Sequence, residues 1–311
     1  FFFHPIGVNS VGYGIDIGKG RAYRHAVAAY GFVVGERETS AAVIEVERVR
    51  SCAREVDVSV EIVVHVAYDD VDAIKAATTD RTVAVMLEPV QGEGGVNLPS
   101  PGYFERVRKW CDDNGLLLVF DEVQTGLMRC GAMWAIETYD VQPDILVTAK
   151  GLSGGVYPIA AVVVAERCAG WLSEDGFGHM STFGGAELGC IAALKTLEIT
   201  QRPSVRENVH SLAARFETEL GAMRTRHANF FSGIRQRGVV MGLEFDHPQG
   251  AKFVMKALYE NGVWAIFSTL DPRILQFKPG LLCDRALCDE ILQRLDTAIG
   301  LAAVEAERSS A

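Results

Sequence analysis

Short unbroken apolar runs, each stopped by a charge or a glycine, set the pattern of the middle of the chain. Residues 116–120 (Leu116, Leu117, Leu118, Val119, Phe120) are wholly apolar and end in Asp121 and Glu122. A polar turn, Val123-Gln124-Thr125-Gly126, follows, and a second apolar run over 145–149 ends in Lys150 and Gly151. Runs of this length between turn residues predict two buried parallel strands. Each delivers a charged side chain at its C-terminal end, the rim where open α/β sheets bind ligands.

The pattern extends to both sides. Residues 82–87 predict an earlier strand ending in Glu88-Pro89, followed by the glycine-rich turn Gln91-Gly92-Glu93-Gly94-Gly95. Ser100 and Pro101 predict an N-cap and first helical position. Phe104, Val107, Trp110 and Cys111 share one helical face, and Gly115 closes that helix. With the strand at 116–120 this makes a β-α-β unit, for which a right-handed crossover is expected. Residues 158–165 predict another strand, and 185–199 and 203–226 predict helices. In the second helix Val205, Val209, Leu212, Phe216, Leu220 and Met223 recur every three or four positions.

Towards the C-terminus, 234–238, 239–245, 263–267 and 274–277 predict short strands interleaved with helices over 251–260 and 285–304. That is a compact α+β unit with a boundary near Phe230. The start of the chain is less patterned. Residues 14–20 predict a hairpin around a glycine turn, 41–60 show weak helical periodicity, 61–66 predict a strand, and 70–78 a short helix with an acidic start. The expected division is an N-terminal segment (1–40), a large α/β domain (41–229) and a small α+β domain (230–311).

The 311 residues, 49% hydrophobic and 23% charged, suit a globular enzyme of two domains. A net charge of −10 argues against nucleic acid as a partner, since no basic surface would release phosphate counterions. Seven cysteines without a C-x-x-C pair predict reduced thiols and a cytoplasmic setting. Phe1-Phe2-Phe3 is too short, and lacks the basic flank, to read as a signal or membrane segment.

Lys150 and Asp121 carry the candidate chemistry. A lysine ending a buried strand can lose its hydration, and the neutral amine then forms a Schiff base. The commoner fate of such a lysine is to snorkel to solvent. A carboxylate at a strand end can keep a pyridinium nitrogen protonated, or simply cap a helix. An apolar strand ending in Asp-Glu also suits a magnesium-holding ATPase, but the phosphate loop such an enzyme needs is missing: 14–20 has one residue too few between its glycines, and Gly20 where a hydroxyl belongs. Metal-ligand histidine spacing and a Gly-x-Ser-x-Gly elbow are absent too.

Four motifs occur in order: Glu88-Pro89-Val90-Gln91-Gly92-Glu93-Gly94-Gly95; Asp121-Glu122-Val123-Gln124-Thr125-Gly126; Pro143-Asp144-Ile145 through Lys150-Gly151-Leu152; and Ser181-Thr182-Phe183-Gly184-Gly185. Together with Arg237-Gly238 and Phe277-Lys278-Pro279 they closely resemble the class III pyridoxal-phosphate-dependent aminotransferases, the group of ornithine, acetylornithine and 4-aminobutyrate aminotransferases. The resemblance implies a fold type I transferase: a mostly parallel, here reduced, central sheet with a smaller C-terminal α+β domain. It implies pyridoxal 5'-phosphate on Lys150 as a Schiff base, with Lys150 also the proton shuttle. Asp121 would pair with the pyridine nitrogen, Val123 would pack under the ring, and Gln124 would hydrogen-bond the phenolic oxygen. Thr182 would reach the phosphate of a neighbouring subunit's cofactor, which implies a homodimer. Glu88, Glu93 and Gln276 would lie on the substrate side. The implied reaction moves an amino group from an amine donor to a 2-oxo acid.

Two departures narrow this. The Ser-Gly-x-Glu-Ala helix start and the aromatic-His-Gly motif of the family, which supply the phosphate cup and a ring-stacking aromatic, are missing, so the chain resembles a family member with an internal segment removed. Where many relatives that act on α-amino acids carry an arginine before Phe-x-Pro, this chain has Gln276, and Arg273 is expected on the opposite strand face. These features favour an ω-amino acid, diamine or other amine donor. An amino-phospholyase of the same family, or an inactive homologue keeping only the fold and dimer surface, stays open.

Overall fold

The computed structural model describes residues 40–50, 57–170 and 181–310. The hairpin expected at 14–20 lies outside the described residues.

Two sheets organise these residues. The first is six-stranded, in the order β2-β1-β3-β4-β5-β6, built from β1 (Ser40–Arg50), β2 (Asp57–Ala67), β3 (Thr82–Leu87), β4 (Leu117–Asp121), β5 (Ile145–Thr148) and β6 (Ala161–Val164). Only β3–β4 and β4–β5 pair in parallel, and the other neighbours are antiparallel. The fold is α/β as expected, but the sheet is mixed rather than mostly parallel.

The difference arises largely in residues 40–67. The stretch with weak helical periodicity forms instead an antiparallel hairpin, from Ser40 opposite Ala67 to Arg50 opposite Asp57. Valine and isoleucine suit a pleated, half-buried surface, and a link as short as 51–56 joins only antiparallel neighbours. Pairing with β3 buries Ala41 and Val43.

The central strands lack alternation because both their faces are covered. Leu118 and Phe120 of β4 pack with Val85, Leu87, Phe104, Val107 and Cys111 on one side. Val119 packs with Ala84, Met86 and Ile145 on the other. Helix α1 (Val71–Ala77) is capped by Asp70, whose carboxylate accepts from the Ala73 N–H at 2.9 Å. Helix α2 (Tyr103–Asn114) starts later than the sequence predicts: its N-cap is Gly102, left-handed at φ 76°. Ser100 is diverted, since its N–H and hydroxyl both donate to Asp69 Oδ1. Gly115 closes the helix at φ 66°, as expected.

After β6 come α3 (Glu187–Thr200) and α4 (Pro203–Arg226). The second sheet, in the order β7-β8-β10-β9, holds β7 (Phe231–Arg237), β8 (Val240–Phe245), β9 (Ile266–Phe267) and β10 (Ile274–Phe277). Helices α5 (Gly250–Glu260) and α6 (Arg285–Ser310) accompany it. The repeating apolar face of α4 is buried as predicted, in one core with Phe245, Leu275 and Leu295. A backbone bond ties the two sheets' loops together, Val239 N donating to Arg129 O at 2.9 Å. Gly238 (φ 59°) permits that approach, because a Cβ there would lie 2.5 Å from the same carbonyl. Among the described residues, no helix is long and apolar enough to cross a membrane.

Candidate active site

Parallel pairing of β4 with β5 sets Asp121 opposite Val147, so Lys150 lies three positions beyond Asp121's partner on the adjoining strand. Neighbouring strands run about 4.8 Å apart, which brings both ends to one rim. Lys150 has φ 45°, a left-handed conformation that costs a side-chain-bearing residue about 1–2 kcal/mol. Leu127 (φ 57°) and Met128 (φ 70°), after the Gln124 turn, share it. Strained backbone of this kind gathers where side chains are aimed at a function.

Asp121 is half-buried, and its Oδ1 accepts from Val123 N at 2.9 Å. Burial pushes its carboxyl above the ordinary value, opposed by that N–H and by the charge of Lys150. Glu122 turns inward and accepts from Thr125 Oγ1 and from Ile136 N at 2.8 Å, which fastens the turn carrying Val123 and Gln124. The turn closes on Gly126, where a Cβ would meet the Trp134 ring at 2.7 Å.

Glu88, at the end of β3, joins the same group. Its Oε2 accepts from Gly92 N at 3.1 Å, and Tyr68 donates to the Glu88 and Pro89 carbonyls. Burial raises its pKa to about 7; Asp121 adds to the rise, while Gly92 N–H, Lys150 and Lys278 oppose it. Three strand ends thus place Glu88, Asp121 and Lys150 within one another's electrostatic reach.

The second sheet closes the site through a ring of four side chains. Gln124 Nε2 donates to Glu93 Oε1 at 3.1 Å, and Gln276 Nε2 donates to Glu93 Oε2 at 3.0 Å. Both amide oxygens accept from the Lys278 ammonium. Thr269 Oγ1 also donates to Glu93, at 2.9 Å. Burial works against the Glu93 charge, but these hydrogen bonds and Lys278 outweigh it and hold its pKa below the ordinary value. Gly92 admits the Gln124 amide, since a Cβ there would lie 2.8 Å from Gln124 Oε1. Arg273 lies in the turn before β10 rather than in the strand, and pairs with Asp271 at 2.9 Å.

The structure therefore gathers Glu88, Glu93, Asp121, Val123, Gln124, Lys150 and Gln276 around the meeting of the two sheets. Thr182 stands exposed in the turn before α3 and makes no hydrogen bond to them among the described residues. One expectation changes. Lys150 is exposed, having passed beyond the strand into its left-handed turn. The lysine that loses hydration is Lys278, whose pKa burial lowers to about 8. Lys278 follows an apolar strand and precedes a proline, a signal of the same kind as that of Lys150. Its role rests on a partner 154 residues away, which local pattern does not reveal.

Residues 39–299 match the family model of class-III aminotransferases. The chain belongs to that family. An uncharacterised aminotransferase of Archaeoglobus fulgidus is 40% identical over 244 residues, 78% of this chain and 57% of that protein. The acetylornithine aminotransferase of Methanocaldococcus jannaschii is 39% identical over 232 residues, 75% of this chain and 56% of the relative. An ornithine aminotransferase structure from Toxoplasma gondii superposes with a TM-score of 0.71 at 34% identity, covering 78% of this chain and 57% of that one. This class-III chain thus spans less than three fifths of the length of these relatives. The family is pyridoxal-phosphate-dependent.

Proposed function

We propose that the chain catalyses pyridoxal-phosphate-dependent transfer of an amino group from an amine or amino-acid donor, an ω-amino acid or diamine among them, to a 2-oxo acid. The observation that carries this reading is the convergence of Asp121, Lys150 and Glu88 at three adjoining strand ends, closed from the other sheet by Gln276 and Lys278. A cofactor with a basic ring nitrogen and a carbonyl suits these residues. Asp121 keeps Oδ2 without a partner among the described residues, while Val123 N–H fixes Oδ1. Lys150 likewise forms no ion pair there, so its amine is available for attachment.

When bound, the cofactor supplies an electron sink for the substrate carbon. Asp121 holds a proton on the ring nitrogen, and a cationic partner there favours its ionised form. Val123 would pack beneath the ring, and Gln124 would orient it through its amide. Lys150 would hold the cofactor and would move the proton to and from the reacting carbon. Glu93, kept ionised by its donors, draws the ammonium of the amino donor.

We further propose that two copies associate. Helix α3 carries its small residues inward, with Gly189 and Ala193 buried, and its large ones outward. Leu188, Ile191 and Leu194 are 69%, 63% and 66% exposed, beside Phe183 at 83%. An outward apolar face of this kind marks an association surface, and Thr182 stands next to it.

Incubation with pyridoxal phosphate followed by borohydride reduction tests the assignment. The expected result is one labelled peptide containing Lys150, absent from Lys150→Ala protein that melts normally. Protein left unlabelled, or labelled equally in Lys150→Ala, overturns it.

A further inference from the structure

We infer that Lys278 grips the anionic end of the substrate, a carboxylate or phosphate group, and so sets the substrate class. This rests on the transferase reading above. Three cations surround the site, Lys150, Lys278 and Arg129, and none forms an ion pair among the described residues. The acids are satisfied differently: Glu88 by Gly92 N, Asp121 by Val123 N, and Glu93 by Thr269, Gln124 and Gln276. Every carboxylate near Lys278 is held by a neutral donor, so none of them meets the ammonium in a direct ion pair.

Within that group Lys278 is the cation built to take an anion. It is half-buried, so its charge acts through little intervening water. Gln124 and Gln276 accept two of its three N–H donors and hold the ammonium in place. The third donor is free to meet an arriving anion without breaking either bond. Arg129 is committed elsewhere, donating to the Pro279 carbonyl, and Lys150 is reserved for the cofactor. A lysine ammonium is a point charge rather than a planar fork, so it accepts a carboxylate or a tetrahedral anion equally well.

The same geometry makes the grip sensitive to pH. Burial lowers the Lys278 pKa to about 8, with Lys150 and Arg129 pushing it down and Glu93 and Glu88 pulling it up. At pH 9 only about a tenth of Lys278 carries its proton, and the grip is lost with it.

Titration calorimetry on the whole chain tests this, with glutarate as the carboxylate probe and sulfate as the tetrahedral one, because both keep a constant charge between pH 7 and 9. Wild-type protein should bind at least one probe at pH 7 and bind it about fivefold or more weaker at pH 9. Lys278→Met should bind that probe about tenfold weaker at pH 7, and Lys278→Arg should fall less than wild type between pH 7 and 9, since only the ionisation of Glu88 then weakens binding. The probe that depends on Lys278 identifies the substrate's anion. If Lys278→Met fails to fold, the pH profile of Lys278→Arg decides, and a fall matching wild type overturns the inference. Affinity of folded Lys278→Met within twofold of wild type for both probes also overturns it, as does wild-type protein binding neither. Borohydride labelling of Lys150 in the same samples separates the two readings. Labelling with anion affinity independent of Lys278 sinks this inference alone; no labelling with Lys278-dependent affinity sinks the transferase reading alone.

Discussion

Lys278 and Glu93 oppose each other through two glutamines instead of meeting in an ion pair. An ammonium has only donors and an ionised carboxylate only acceptors, so each amide has a single orientation that satisfies both neighbours. Gln124 and Gln276 are thereby locked, with oxygen towards Lys278 and nitrogen towards Glu93. The lock spans both sheets: Gln124 follows β4 and Gln276 sits in β10. The site is therefore rigid where the two halves meet, before any ligand arrives.

Glu88 makes stability depend on pH. Its folded pKa, raised to about 7, lies above the ordinary carboxylate value, so the folded chain holds a proton that the unfolded chain releases. The contribution is full below about pH 4 and is lost as pH rises through about 7. Glu88→Gln keeps an acceptor for Gly92 N and has no proton to lose. Urea unfolding should give matching midpoints for the two proteins near pH 4, with the variant more stable by about 3 kcal/mol at pH 8. A difference that does not change with pH would refute the assignment.

Asp144 fastens the frame behind the site. Its carboxylate accepts from Leu118 N at 2.8 Å and from Arg108 at 2.8 Å, and it pairs with Arg167. Burial disfavours its charge, but the Leu118 N–H and the two guanidinium groups outweigh burial and hold the pKa below the ordinary value. This stabilisation is present above about pH 4 and lost as pH falls through the lowered value. Asp144→Ala leaves the buried Leu118 N–H without its acceptor and Arg108 with Asp112 alone, and should cost about 3 kcal/mol at pH 7, read as a lower urea midpoint. A loss under about 1 kcal/mol would show that the node is dispensable.

The outward face of α3 predicts an assembly. Leu194→Glu puts a charge among Leu188, Ile191 and Phe183, and should shift sedimentation from dimer to monomer while leaving the circular dichroism of the monomer native. Wild-type protein sedimenting as a monomer would remove the proposed dimer altogether.

Sequence alone determined the strands at 82–87, 116–120 and 145–149, because runs covered on both faces must be apolar throughout. It determined the closing glycine of α2 and the buried stripe of α4, because both follow from helical period and left-handed backbone. The charged strand ends Asp121 and Lys150 were legible for the same reason: a buried strand admits a charge only where it leaves the core. Of the hairpin at 40–67 only the strand at 61–66 was legible, since pairing with β3 overrides the weak helical periodicity of the rest. Nor was the diverted Ser100 legible, whose hydroxyl serves Asp69, 31 residues earlier. Only the tertiary structure chose between the two lysines, exposing Lys150 and stripping water from Lys278. Hydration depends on what the other sheet brings against a side chain, and no local pattern encodes that.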